Sequence, residues 1–121
     1  MRHRSTTTFP RVIRKNVKLC PINNSMQLLG KKFAILILLN TIVSRQTRFS
    51  QFMDTIDGIN SKTLTARLRE LERRGLISRK AYPEVPPRTE YCLTQKGRSL
   101  KPTLDGLAAF SIQNYHDRLF H

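Results

Sequence analysis

Between residues 61 and 74 apolar side chains recur at a helical spacing: Leu64, Leu68 and Leu71 stand at i, i+4 and i+7. Lys62, Ala66, Arg69 and Arg73 fall on the opposite side, with Thr65 beside them. Asn60 or Ser61 can cap the start of this helix, and Gly75 its end. The period then changes from helical to alternating. Two short strands are predicted over residues 76–82 and 89–94, the second with Thr89, Tyr91 and Leu93 on one face. Their connection holds Pro83, Pro86 and Pro87, and it is stiff because proline fixes φ and has no N–H to give a ladder.

Upstream, residues 25–30 read as a short helical turn with Asn24 or Ser25 as its cap. Residues 31–43 follow as a helix that is apolar all round, which predicts a buried central position. Residues 45–48 read as a polar turn. Ser50 then caps a third helix, QFMDTID, whose Phe52 and Ile56 share a face and which Gly58 ends. Downstream, a last helical region runs from TQKG to about Phe120, with Pro102 near the start of its main helix. The order is helix, helix, helix–turn–helix, hairpin, helix. The expected fold class is mainly α with a small β-hairpin, a winged helix-turn-helix.

Composition narrows the partner. The 121 residues suit one domain, and 39% hydrophobic content supports a folded core. The formal net charge is +14, and no acid precedes Asp54, whereas ten Lys and Arg do. Such asymmetry points to nucleic acid or an anionic membrane surface. The longest apolar run, FAILILL continuing to Val43, falls short of the ~20 residues a span needs, so no membrane partner is expected. Cys20 and Cys92 are too few for a disulfide scaffold, and with no signal peptide visible the expected compartment is the cytoplasm, at the nucleoid. Residues 1–19, rich in Arg, Ser and Thr, resemble a transit peptide, but the reading preferred is a flexible basic arm.

Enzyme chemistry finds no support. His3, His116 and His121 lie at the chain ends, and no P-loop, dinucleotide fingerprint or zinc spacing occurs. Neither catalytic residues, nor a metal, nor a cofactor are therefore expected. The helix of residues 61–74 instead suits a DNA major groove, with a hairpin wing on the adjacent backbone or minor groove. Ser61, Lys62, Thr63, Thr65 and Arg69 are the candidate groove residues. Arg can pair bidentately with guanine, and the Thr methyl can meet a thymine methyl. Arg67 and Arg74 lie toward the flanks, for phosphate or for pairing with Glu70. Arg79 and Lys80 offer phosphate contacts or plain solubility. Arg88 either enters a narrow minor groove or pairs with Glu84 or Glu90.

Four stretches, CPINNSMQLLGKKFAILIL, RFSQF, GINSKTLTARLRELERRGLISR and VPPRTEYCLTQKGRSLKPTL, occur in the order and spacing of the HxlR-type transcriptional regulators, relatives of the MarR regulators. The chain resembles that family over residues 20–107, and residues 20–121 are assigned to the domain. The resemblance implies a homodimer, joined through its N-terminal and C-terminal helices, that binds a near-palindromic operator in double-stranded DNA. It also implies a possible sensor thiol at Cys20, before Pro21, where some members react with oxidants or electrophiles. The other reading of Cys20 is a small buried hydrophobe, and Cys92, on a strand, is read as structural. The sequence departs from the family at Lys31-Lys32-Phe33, where members usually carry Gly-Lys-Trp, and His116 and His121 lie in an unmatched region. The alternatives are a winged-helix interaction module and a sequence-indifferent DNA-packaging protein. The effector is not specified.

Overall fold

A computed structural model describes residues 20–44 and 47–120. The basic arm predicted over residues 1–19 lies outside the described residues, as do Arg45, Gln46 and His121. The elements in order are α1 (Pro21–Leu29), α2 (Ala34–Val43), β1 (Thr47–Arg48), α3 (Phe49–Thr55), α4 (Ser61–Arg73), β2 (Ile77–Tyr82), β3 (Arg88–Leu93), α5 (Gln95–Arg98), α6 (Lys101–Asn114) and α7 (His116–Leu119). This is a winged helix-turn-helix, with α3 and α4 as the helix pair and β2–β3 as the wing.

The leucine stripe of α4 makes the core. Leu64, Leu68 and Leu71 meet Ile37 and Leu38 of α2 and Phe52 of α3, all fully buried. Complete burial of each such side chain stabilises the fold by roughly 1.5–3 kcal/mol. Ile77 closes the cluster from the sheet, and Phe52 meets Tyr91 edge to face at 6.1 Å. After α4 the chain reverses at Gly75, whose φ of 80° lies in the left-handed region that favours glycine. Thr94 locks this corner: its Oγ1 donates to the Gly75 carbonyl at 2.6 Å and accepts from the Gly97 N–H at 3.0 Å.

Several boundaries differ from the sequence reading. α1 begins at Pro21, not at Ser25, with Cys20 as its N-cap. No side chain caps it, and proline fits a first turn whose N–H groups have no helical partner. Asn24 and Ser25 therefore lie inside the helix. α2 starts only at Ala34, because residues 31–33 form a turn in which Phe33 adopts a φ of 73°. Nor is α2 buried all round: Leu36 and Leu39 are exposed, and Val43 is 85% exposed. Its hydrophobic inner side meets α4, while its outer side has no cover from the described residues. α3 starts at Phe49. The Gln51 side chain accepts from the Arg48 backbone N–H at 2.7 Å, so Ser50 is a helix residue rather than the cap.

The polar turn expected over residues 45–48 ends in a strand. Thr47 pairs with Tyr91 and Arg48 with Glu90, which adds β1 to the hairpin as a third antiparallel strand in the order β1-β3-β2. The last helical region is broken into three, with α5 short and α6 ending at Asn114, before Tyr115.

Candidate nucleic-acid interface

The start of α4 is set by Asn60, whose Oδ1 accepts from the Thr63 N–H at 2.8 Å. This bond satisfies one of the orphan donors of the first turn and fixes where the helix begins. With Leu64, Leu68 and Leu71 buried, helical geometry turns Lys62, Ala66, Arg69 and Arg73 outward, and all four are exposed. Ser61 is exposed too, while Thr63 and Thr65 are half-buried.

Two side-chain attachments hold the opposite flank of α4 against the turn between α1 and α2. Arg67 Nε donates to the Lys32 carbonyl at 2.9 Å, so Arg67 is engaged within the protein. Glu70, nearly buried, accepts from Lys31 Nζ at 2.9 and 2.7 Å, while Arg74 stands 4.0 Å off. Its main partner is therefore Lys31, which sequence reasoning did not foresee. The Lys31 hydrogen bond holds the Glu70 carboxyl below its ordinary pKa, against the opposing effect of burial.

Between α4 and the wing runs an open groove of about 560 Å³. Thr65 and Arg69 line one wall, Arg79, Thr89 and Tyr91 the other, and Glu72 also reaches it. Burial pushes the Tyr91 hydroxyl pKa upward, opposed by the positive charge of Arg79. The structure thus brings Thr65, Arg69 and Arg79 into one concavity. Thr89 and Tyr91 were not among the candidate residues, although their shared strand face was legible from alternation.

At the wing, Arg88 is held on two sides. Its Nη2 lies 3.3 Å from Glu84 Oε2, and its Nε lies 3.3 Å from Glu90 Oε2 without hydrogen-bond alignment. Its guanidinium also lies over the Tyr82 ring, 4.3 Å from the centroid. Both acids named as alternatives to DNA are therefore engaged. Arg79 and Lys80 project from β2 and are exposed. Cys20 is half-buried at the N-cap of α1, and Cys92 is half-buried on β3, opposite Ser78.

The HxlR-like helix-turn-helix family model matches residues 28–118. An uncharacterised HTH-type transcriptional regulator of Synechocystis sp. is 46% identical over 86 residues, covering 71% of this chain and 63% of that relative, so the match spans less than two thirds of the relative's length. A MarR-family transcriptional regulator of Porphyromonas gingivalis W83 has a crystal structure that superposes with a TM-score of 0.73, at 39% identity, over 80% of this chain and 94% of that one. The redox regulator HypR, in its oxidised form, superposes with a TM-score of 0.72, at 33% identity, over 78% of this chain and 97% of that one. No single helix among the described residues is long and apolar enough to cross a membrane. The exposed basic face of α4, the wing beside it and these likenesses converge: the chain belongs to the HxlR-like helix-turn-helix family of DNA-binding transcriptional regulators.

Proposed function

We propose that the protein is a homodimeric, sequence-specific regulator of transcription, with each α4 in one major-groove half-site of a near-palindromic operator. The observation that carries this reading is the state of the cations on the outward side. Lys62, Arg69, Arg73, Arg79 and Lys80 are all exposed, and among the described residues none of the five forms an ion pair with an acid. Unpaired cations on a helix that fits a groove, beside a wing, suit a polyanion whose bases can be read. Ser61, Lys62, Thr63, Thr65 and Arg69 are assigned to the groove, and Arg79 and Lys80 to phosphates. Such a protein works at the nucleoid, in the cytoplasm.

The dimer is supported by apolar surface that the chain does not cover. Ile22 and Met26 on α1, and Leu107, Phe110, Ile112 and Leu119 on α6 and α7, are all about half exposed. A two-fold axis would bury the same patch on both copies. To read two half-sites, the two α4 helices of such a dimer must lie about one DNA turn apart, ~34 Å. Cys20 caps the α1 that carries Ile22 and Met26, so reaction of this thiol with an oxidant or electrophile would disturb the dimer seam and the spacing of the α4 helices.

Selection of duplexes from a random pool at fixed salt tests the reading. A two-fold-related consensus is expected. Equal retention of all sequences would indicate packaging, and no retention would indicate a protein-interaction module. For Cys20, operator affinity should fall on treatment with a quinone or mild oxidant and should hold in Cys20→Ser. An unresponsive parent would leave Cys20 as a structural thiol.

A further inference from the structure

One charged cluster on the wing is not explained by a free minor-groove arginine. Antiparallel register puts Arg48 of β1, Glu90 of β3 and Lys80 of β2 in a single cross-strand row. Arg88, two residues from Glu90 on the same strand, shares its face. Glu90 is only 6% exposed. On its Oε2 two cations converge, Arg88 Nε at 3.3 Å and Arg48 Nε at 4.0 Å. Two guanidiniums on one sunken carboxylate leave a net positive charge. Above them lies an open pocket of about 540 Å³, lined by Arg48, Ser50, Glu84, Pro87 and Arg88. Glu84, half exposed on the proline loop, reaches in to Arg88 Nη2 at 3.3 Å.

The geometry points to a two-arginine seat for one backbone phosphodiester of duplex DNA, formed by Arg48 and Arg88 and held in place by Glu90, with Glu84 occupying the outer edge of Arg88 until DNA replaces it. This rests on the DNA-binding reading above. The planar guanidinium makes the exchange feasible, because Nη2 can change partner while Nε stays on Glu90 and the ring stack on Tyr82 stays in place. The two acids are not equivalent. An ion pair as exposed as Glu84–Arg88 contributes little and is readily given up. Glu90 is withdrawn from water, and removing its partners would leave a sunken charge uncompensated. A phosphodiester carries a full charge on two acceptor oxygens and forms the stronger charge-assisted bonds. Glu84 is thus an internal stand-in for the phosphate, and after exchange it stands beside a like charge. Glu90 is a positioning residue that acts through the two arginines.

The test is equilibrium binding of the full chain to a selected operator duplex and to a random-sequence duplex across a salt series. Glu84→Gln should tighten both duplexes by about threefold, since a weak exposed pair and a like-charge repulsion are removed together. In an Arg88→Ala background the same change should have a clearly smaller effect, because only the like-charge repulsion is left to remove. Arg48→Ala and Arg88→Ala should each weaken both duplexes, and loss of the seated phosphate should flatten the log–log salt slope by about 0.9. Glu90→Gln, checked for folding by circular dichroism, should flatten the slope as Arg88→Ala does; if it unfolds, the two arginine variants carry the test. A Glu84→Gln gain that is undiminished without Arg88 would be charge repulsion alone and would overturn the exchange. Unchanged salt slopes in both arginine variants would overturn the seat. A parent that binds neither duplex would overturn the DNA-binding reading and this inference with it, while a parent that selects its operator without Glu84–Arg88 coupling overturns only the inference.

Discussion

The helices α4 and α6 are nearly equal in length, 13 and 14 residues, yet they use their apolar side chains in opposite ways. In α4 the leucines are spaced so that one stripe enters the core, and its charges stay outside. In α6 only Leu104 is buried, while Phe110 is 57% exposed and Leu107 and Ile112 are close to half exposed. The difference lies in what covers each helix. The apolar side of α4 is completed by α2, α3 and the sheet of the same chain. That of α6 is left without cover among the described residues, which is the state expected of a surface that a second copy completes.

The comparison can be broken most strongly at its buried end. Leu68→Ala should lower the unfolding free energy by about 2–5 kcal/mol, because it opens a cavity among Ile37, Leu38 and Phe52; a denaturant titration measures this, and a loss under 1 kcal/mol would deny α4 its central role. At the exposed end, Phe110→Glu should leave the fold intact but weaken self-association by ~2 kcal/mol or more if the residue is an interface anchor. Sedimentation of parent and variant decides; equal masses would remove α6 from the seam. Between the two, Arg69→Ala should cost roughly 1–3 kcal/mol on the operator and relax preference at one half-site position, whereas Arg79→Ala should weaken operator and random DNA alike. A uniform loss from both would assign Arg69 to phosphate.

The smallest effect concerns pH. The Lys31 hydrogen bond holds the folded-state pKa of Glu70 below that of an ordinary glutamate, so its contribution is present above the ordinary value and is lost as pH falls through the lower folded pKa. Because Lys31 is partly exposed, the contribution should be at most about 1 kcal/mol. Stability measured between neutral pH and pH 3 should fall less steeply in Glu70→Gln than in the parent, and parallel curves would show that the pair does not contribute.

These elements differ in how far the sequence revealed them. The α4 stripe, the Asn60 cap and the Gly75 stop are local, and periodicity with cap chemistry was enough to place them. The wing followed from alternation flanked by prolines. What stayed hidden depends on distant partners. A two-residue β1 has no pattern of its own and exists because Arg48 pairs with Glu90, 42 residues later. The outer side of α2 reads as core because Leu36, Leu39 and Val43 are apolar, and only the packing shows that nothing in the described chain covers them. Arg67 read as a phosphate contact or a partner of Glu70, and its bond to the Lys32 carbonyl could not be inferred from spacing. In the candidate site, the outward cations of α4 were legible, whereas the shared hold on Arg88 was only one of two alternatives.

The turn between α1 and α2 has a mechanical consequence. The two helices meet at a bend of 81°, with Phe33 at the corner in a left-handed conformation. From that corner Lys31 grips Glu70 and the Lys32 carbonyl grips Arg67, two points one helical turn apart on α4. Two attachments resist rotation as well as separation. Tilting the corner therefore pulls on α4 at both points. α4 is thus tied at two points to the corner that follows α1, and a change in the angle of α1 would be passed to it through Lys31 and Lys32.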